Sequence, residues 1–194
     1  MSGELDARPR RSTAPLWLIV ALCAAPIVGS YLAYYLWPPS GQVNYGELIE
    51  PRPLPDDELM LADGRTMRLS QLRGSWVMLV ADDAACDESC RRKLTYMRQV
   101  RLAAGKEKGR VERMWLLMDS GTPEPALIQE HPGLAVVREQ GSVIAKSLPA
   151  TVSPAEHIYV VDPLGYVMMR FPRDADPKRV LKDISRLLRH SKWK

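Results

Sequence analysis

The pattern of apolar and polar positions changes sharply along the chain. From Leu16 to Trp37 there is no charged residue. As an α-helix that run is ~33 Å long, enough for a bilayer core of ~30 Å. It has no polar face, which argues against a helix in the core of a soluble protein. Trp17 near one end, and Tyr31, Tyr34, Tyr35 and Trp37 near the other, suit membrane–water interfaces. Pro26 and Gly29 are tolerated inside a membrane helix, and Pro38-Pro39 ends it. Residues 38–56 then hold Pro38, Pro39, Pro51, Pro53 and Pro55, which reads as an extended, partly stiff linker within which Asn44 to Glu50 could pack locally.

The pattern from residue 57 to 194 is that of a single α/β domain. Leu59 to Leu69 predicts two short strands about an Asp63-Gly64 turn. Trp76-Val-Met-Leu-Val-Ala81 is a continuous apolar run, typical of a strand buried on both faces. A helix is expected from about Asp87 to Ala104, with Leu94, Met97, Val100 and Leu102 near helical spacing and Gly105 after it. Met114–Met118 predicts a second buried strand, residues 123–131 a helix after Pro123, and Leu134–Val137 a short strand. His157–Asp162 and Tyr166–Phe171 flank Pro163-Leu-Gly165 as a hairpin. The last helix takes Asp176 as N-cap and Pro177 at its first position, with an apolar stripe of Val180, Leu181, Ile184, Leu187 and Leu188. Strands alternating with helices in this order predict a mixed sheet flanked by helices.

Charge adds an orientation. The whole chain of 194 residues carries 27 basic and 23 acidic groups, a net +4. That excess is too small for a nucleic-acid binder, and no basic run is interleaved with aromatics. Its distribution says more. Arg8, Arg10 and Arg11 precede the apolar run, and no Lys or Arg follows it before Arg52. The positive-inside rule therefore places residues 1–15 in the cytoplasm, residues 16–37 across the membrane, and the domain outside, in the periplasm or its equivalent. A cleaved signal peptide would have a shorter apolar region and a small-residue cleavage site, not large aromatics around Ala33.

Three cysteines exclude a disulfide-dense scaffold. Cys23 falls in the apolar run as a small packing residue. Cys86 and Cys90 stand where a buried strand runs into a helix. The helix N-terminus stabilises a thiolate there, so the pair is placed for redox or metal chemistry. Asp82, Asp83, Asp87 and Glu88 oppose a thiolate, whereas Arg91, Arg92 and Lys93 favour it. An inert structural disulfide is the rival reading, since an extracytoplasmic domain permits one. The three histidines suggest ordinary roles: His131 in a loop, His157 in a strand, His190 at a helix end.

The chain resembles the Sco/SenC family, thioredoxin-like proteins of cytochrome c oxidase assembly. The resemblance spans about residues 59–190. It is carried by Leu69-Ser-Gln-Leu-Arg-Gly74, Trp76-Val-Met-Leu-Val80, the Cys86-x-x-x-Cys90 pair and Asp162-Pro-Leu-Gly165, in that order. It implies a thioredoxin-like fold and redox-active or Cu(I)-binding Cys86 and Cys90, with a respiratory oxidase subunit or another assembly protein as partner. Two positions depart from the family. Arg91-Arg92-Lys93 stands where a proline follows the cysteines. The family's third copper ligand, a histidine eight residues before the hairpin aspartate, falls here on Pro154. His157 is three residues further on, and strand alternation would turn it to the other face. By the same resemblance, Ser153-Pro154 is the expected cis-proline beside the cysteines.

Three functional readings stay open. In the first, Cys86, as the more exposed thiol, attacks a partner disulfide and Cys90 resolves the mixed disulfide. In the second, the two thiolates carry Cu(I) with a further ligand. In the third, the protein is a non-catalytic interaction protein with an inert bridge.

Overall fold

A computed structural model of the chain describes residues 14–36, 44–139 and 143–191, which fall into two separate units. The first holds helix α1 (Ala14–Leu36), uncharged throughout and long and apolar enough to cross a membrane. Trp37 of the expected span and residues 38–43 of the expected linker lie outside the described residues.

The second unit is built on one eight-stranded sheet. Its strands are β1 (Glu47–Pro53), β2 (Glu58–Leu61), β3 (Thr66–Arg68), β4 (Trp76–Asp82), β5 (Val111–Leu117), β6 (Leu134–Glu139), β7 (His157–Val161) and β8 (Tyr166–Pro172), in the order β1-β8-β7-β4-β5-β6-β2-β3. The central strands β4, β5 and β6 run parallel, and the other pairs are antiparallel. Four helices belong to this unit: α2 (Glu88–Ala103), α3 (Pro125–Glu130), α4 (Val143–Ser147) and α5 (Pro177–His190).

β4 reads as apolar throughout because both its faces are covered. Met78 and Val80 join Leu94, Met97 and Val100 of α2 and Val180, Ile184 and Leu188 of α5 in one core. Val77, Leu79 and Ala81 join Leu59, Ile144 and Tyr159 in the other. Along β7 the alternation is clean: Ile158 and Val160 face the α2 core, Tyr159 and Val161 the opposite one. A register shift between Val160 and Val161 lets β8 place Val167 on one face but Met169 and Phe171 on the other.

Three expectations are corrected. The linker expected over 38–56 is in its second half an edge strand, since Glu47–Pro53 pairs with β8 and Leu54 is buried. Pro51 and Pro53 fit there because an edge strand needs fewer ladder donors. Leu102 is exposed, one step off the stripe of Leu94, Met97 and Val100. His131, expected in a loop, is only 3% exposed, and so is the charged residue Arg113.

His131 has consequences for pH. Its Nδ1 has no hydrogen-bond partner, and burial, with Arg98 and Arg113 nearby, pushes its pKa below the ordinary value of 6.5. Above that value both folded and unfolded chains carry it neutral. As pH falls below it, the unfolded chain takes up the proton first, so stability is lost. Burial pushes His157 in the same direction. Denaturation at about pH 7.5 and about pH 5.5 should therefore show lower stability at the acid value, near the ordinary histidine range. A His131→Gln variant should show a smaller loss, and an unchanged difference would exclude His131 as a source.

Candidate functional site

Asp82 closes β4, and the chain turns through residues 83–85 to reach Cys86. The Cys86 amide donates to the Asp83 carbonyl (3.1 Å), and the Ala84 amide donates to the Asp119 carboxylate (2.9 Å). Asp87 then caps α2 by accepting from the Cys90 amide at 2.8 Å. This bond, with the Arg173 and Lys93 charges nearby, holds the Asp87 carboxyl below the usual carboxylate range. Cys86 therefore lies just outside the helix and Cys90 in its first turn. Their sulfurs form a disulfide, with Cα atoms 5.1 Å apart.

Two features of the pair were not readable from spacing. Both cysteines are buried, Cys86 at 3% and Cys90 at 0% exposure, so Cys86 is the more accessible only by a narrow margin. Cys86 also has φ +39°, the one non-glycine residue in the left-handed region among the described residues. For a residue with a Cβ that conformation costs roughly 1–2 kcal/mol. Such local strain is characteristic of functional positions.

Charged groups frame the disulfide on two sides. Arg173, in the loop after β8, donates from Nε to Ser89 Oγ (2.5 Å). Its Nη2 reaches Asp87 at 3.4 Å and its Nη1 reaches Glu156 at 3.3 Å. It ties the cysteine loop to the turn that precedes β7. On the inner side, Lys93 is 1% exposed. Its Nζ contacts Asp82 Oδ2 at 2.7 Å and donates to the Ala155 carbonyl. Lys93 belongs with Arg91 and Arg92 in sequence but not in space, because Arg91 and Arg92 point outward to Glu124, Glu88 and Asp174. The available signal was helical spacing: Lys93 falls on the stripe of Cys90, Leu94 and Met97.

Pro154 opens a short 3-10 turn, Pro154–Glu156, in which Ser153 Oγ accepts from the Ala155 amide. The expected cis bond at Ser153-Pro154 is trans, as is every other described peptide. A trans proline at the first position of such a turn already has the φ that the turn needs.

His157 begins β7 on the face of Tyr159, with their rings 5.8 Å apart. Its Nδ1 lies 3.2 Å from the Phe171 carbonyl oxygen. The disulfide lies in the opposite core, with Ile158 and Val160. The donor set for copper is thus two sulfurs now joined to each other, a proline where the family has its histidine, and a histidine turned to the wrong face. Among the described residues no three His, Cys, Asp or Glu side chains converge on a metal-sized site. The residues present do not complete the three-donor arrangement.

The fold has many solved counterparts. Yeast Sco1 with copper bound superimposes with a TM-score of 0.62 at 16% identity, covering 74% of this chain and 96% of that one. Bradyrhizobium japonicum ScoI with copper bound gives 0.53 at 19% identity, covering 71% and 99%. The thioredoxin domain of a thiol-disulfide oxidoreductase from Bacteroides vulgatus gives 0.54 at 16% identity, covering 73% and 99%. The likeness to Sco/SenC proteins seen in the sequence is therefore borne out as a thioredoxin-like fold. No curated protein matches the chain in sequence. Residues 76–191 match the family model described as the transmembrane-like, thioredoxin-like, C-terminal domain, and this covers more than half of the chain, so the chain belongs to that family.

Proposed function

We propose that the protein is a membrane-anchored thiol–disulfide exchange protein of cytochrome c oxidase assembly, with Cys86 and Cys90 as its working pair. The observation that carries the exchange chemistry is the disulfide at the junction of β4 and α2, with Cys86 held in the left-handed region. A bridge closing so short a loop stabilises the fold by only ~2 kcal/mol in the chain-entropy model, against ~3 for a 15-residue loop. Its position offers more to chemistry than to stability. The α2 amides and dipole favour a thiolate once the bridge is reduced, while the charges of Arg173 and Lys93 are offset by their partners Asp87, Glu156 and Asp82.

In the reduced protein the Cys86 thiolate attacks one sulfur of a partner disulfide. The partner S–S bond breaks, its second sulfur leaves as a thiolate, and a mixed disulfide forms. The Cys90 thiolate then attacks Cys86 Sγ, which re-forms the Cys86–Cys90 bridge and frees the partner as a dithiol. Two electrons pass from this protein to the partner, and the reverse sequence oxidises a partner dithiol. The partner implied by the Sco/SenC resemblance is an oxidase subunit with paired copper-ligand cysteines, or another assembly protein. Sco structures that contain copper keep Cu(I) in view as cargo for the two thiolates, but the incomplete donor set favours exchange.

The reduction potential separates exchange from its chief rival. Burial of both sulfurs favours the rival, an interaction protein with an inert bridge. Inert structural disulfides fall below about −300 mV. Equilibration of the full chain in detergent against glutathione and dithiothreitol buffers should give a potential above that value. A lower one would establish the inert bridge.

The arginines before α1 support a cytoplasmic N-terminus and a periplasmic domain at the inner membrane. An alkaline-phosphatase fusion after residue 60 should be active, and a reporter that needs the cytoplasm inactive. The reverse pattern would overturn this topology.

A further inference from the structure

Helix α5 divides its faces with little mixing. Val180, Ile184 and Leu188 enter the core. Lys178, Arg179, Lys182, Arg186 and Arg189 fall within an arc of about 100° on the other side, at 3.6 residues per turn. All of these but Arg186 are exposed, and Arg186 is half-buried. The helix has one acidic residue, Asp183, and it is buried. Lys106 and Lys108 extend the basic surface from the turn Gly105–Arg110, whose Arg110 donates to the Leu188 carbonyl (3.1 Å) at the end of α5. Glu107 in that turn, and Asp174 and Asp176 before the helix, are the acidic residues nearby.

A second, independent observation concerns where the chain enters the domain. The first described residues of the domain are fastened along the flank of the same stripe. The Tyr45 and Gly46 amides donate to Asp183 Oδ2 at 2.7 and 2.8 Å. Arg186 donates to the Asn44 side chain at 3.0 Å, and the Arg179 guanidinium lies 3.9 Å from the Tyr45 ring centroid. The chain thus leaves the domain beside α5, not from the end of a long spacer. Residues 37–43, at ~3.5 Å each, bridge at most ~28 Å between Leu36 and Asn44.

Resting on the reading of α1 as a retained anchor, we propose that the basic stripe of α5 docks on anionic phospholipid headgroups of the membrane that holds α1. The short tether keeps the stripe within reach of that surface, and charge complementarity selects acidic lipid over zwitterionic lipid. Docking would fix which side of the domain faces the bilayer. It would thereby limit the cysteine site to partners presented at the membrane.

The test uses the full chain in lipid nanodiscs of phosphatidylcholine with and without phosphatidylglycerol. A water-soluble amine-acylating reagent is applied briefly and the modified lysines are read by peptide mass. Phosphatidylglycerol should lower labelling of Lys178 and Lys182 at least threefold, with exposed Lys146 on α4 as an unaffected reference. High salt should abolish the protection. A Lys182→Gln/Arg189→Gln variant, read at Lys178, should lose most of it. Equal labelling in the two discs, or full protection in the variant, would overturn the docking. Dissociation of the chain from discs at high salt would instead refute the anchor, so the two failures are distinguishable.

Discussion

Replacing Cys90 with serine is expected to turn catalytic exchange into trapping. With a disulfide peptide as substrate and a dithiol as reductant, the unaltered protein should turn over. In a single turnover after the dithiol is removed, reduced Cys90→Ser should stop at a stoichiometric mixed disulfide on Cys86, because the residue that resolves it, in the first turn of α2, is gone. Cys86→Ser should lower turnover by on the order of 10³-fold or more, as loss of a nucleophile does. It should form no comparable adduct, because Cys90 is fully buried. Both variants forfeit the bridge and its ~2 kcal/mol, so equal loss of stability is the internal control. Peptide mass mapping of the adduct decides the roles. A stable adduct on Cys90 in Cys86→Ser, with none in Cys90→Ser, would reverse them. Turnover unaffected by either change would remove the pair from the chemistry.

The largest expected effect on stability is at Lys93. Its side chain is 1% exposed, and that of Asp82, its partner at 2.7 Å, is 16% exposed. A charge removed from one side of such a pair leaves the other desolvated and unmatched, and the Ala155 carbonyl loses its donor as well. Lys93→Met should cost about 3–5 kcal/mol, lowering Tm by about 10 °C at the 2–4 °C per kcal/mol usual for a domain of this size. Asp82→Asn keeps an oxygen for the Asp83 amide and neutralises the carboxylate. The double variant Lys93→Met/Asp82→Asn should therefore be less destabilised than the two single losses added together. Denaturant unfolding of the four proteins gives the coupling directly. A cost below about 1 kcal/mol for Lys93→Met, in the range of surface ion pairs, would mean that the pair is solvated.

Both expectations concern a small region in which every side chain was visible in the sequence but only some of its relations were. The uncharged run Leu16–Trp37, the buried strand at residues 76–81, the turn at Asp162-Pro-Leu-Gly165 and the capped last helix were legible because local physics decides them. An apolar run without a polar face, a strand with two buried faces and a proline at a helix start each leave little alternative. The cysteine pair at the strand–helix junction was legible for the same reason, since it needs only neighbouring elements.

Tertiary contacts decided the rest. Glu47–Pro53 looks like linker because its prolines oppose a central strand, and it becomes strand only because the edge of β8 is there to pair with it. Pro154 is trans and opens a 3-10 turn whose N-cap is Ser153. Lys93 looks like one of three solvated basic residues until Asp82, eleven positions earlier, meets it under the helix. Arg113 and His131 likewise look ordinary until tertiary packing encloses them. Local sequence determined a helix long and apolar enough to span a membrane, an α/β domain and a cysteine pair at a helix start. Long-range packing alone decided that both sulfurs are buried, that Lys93 of the same helix pairs with Asp82 and that His157 faces away, because burial and charge pairing depend on residues far apart in the chain.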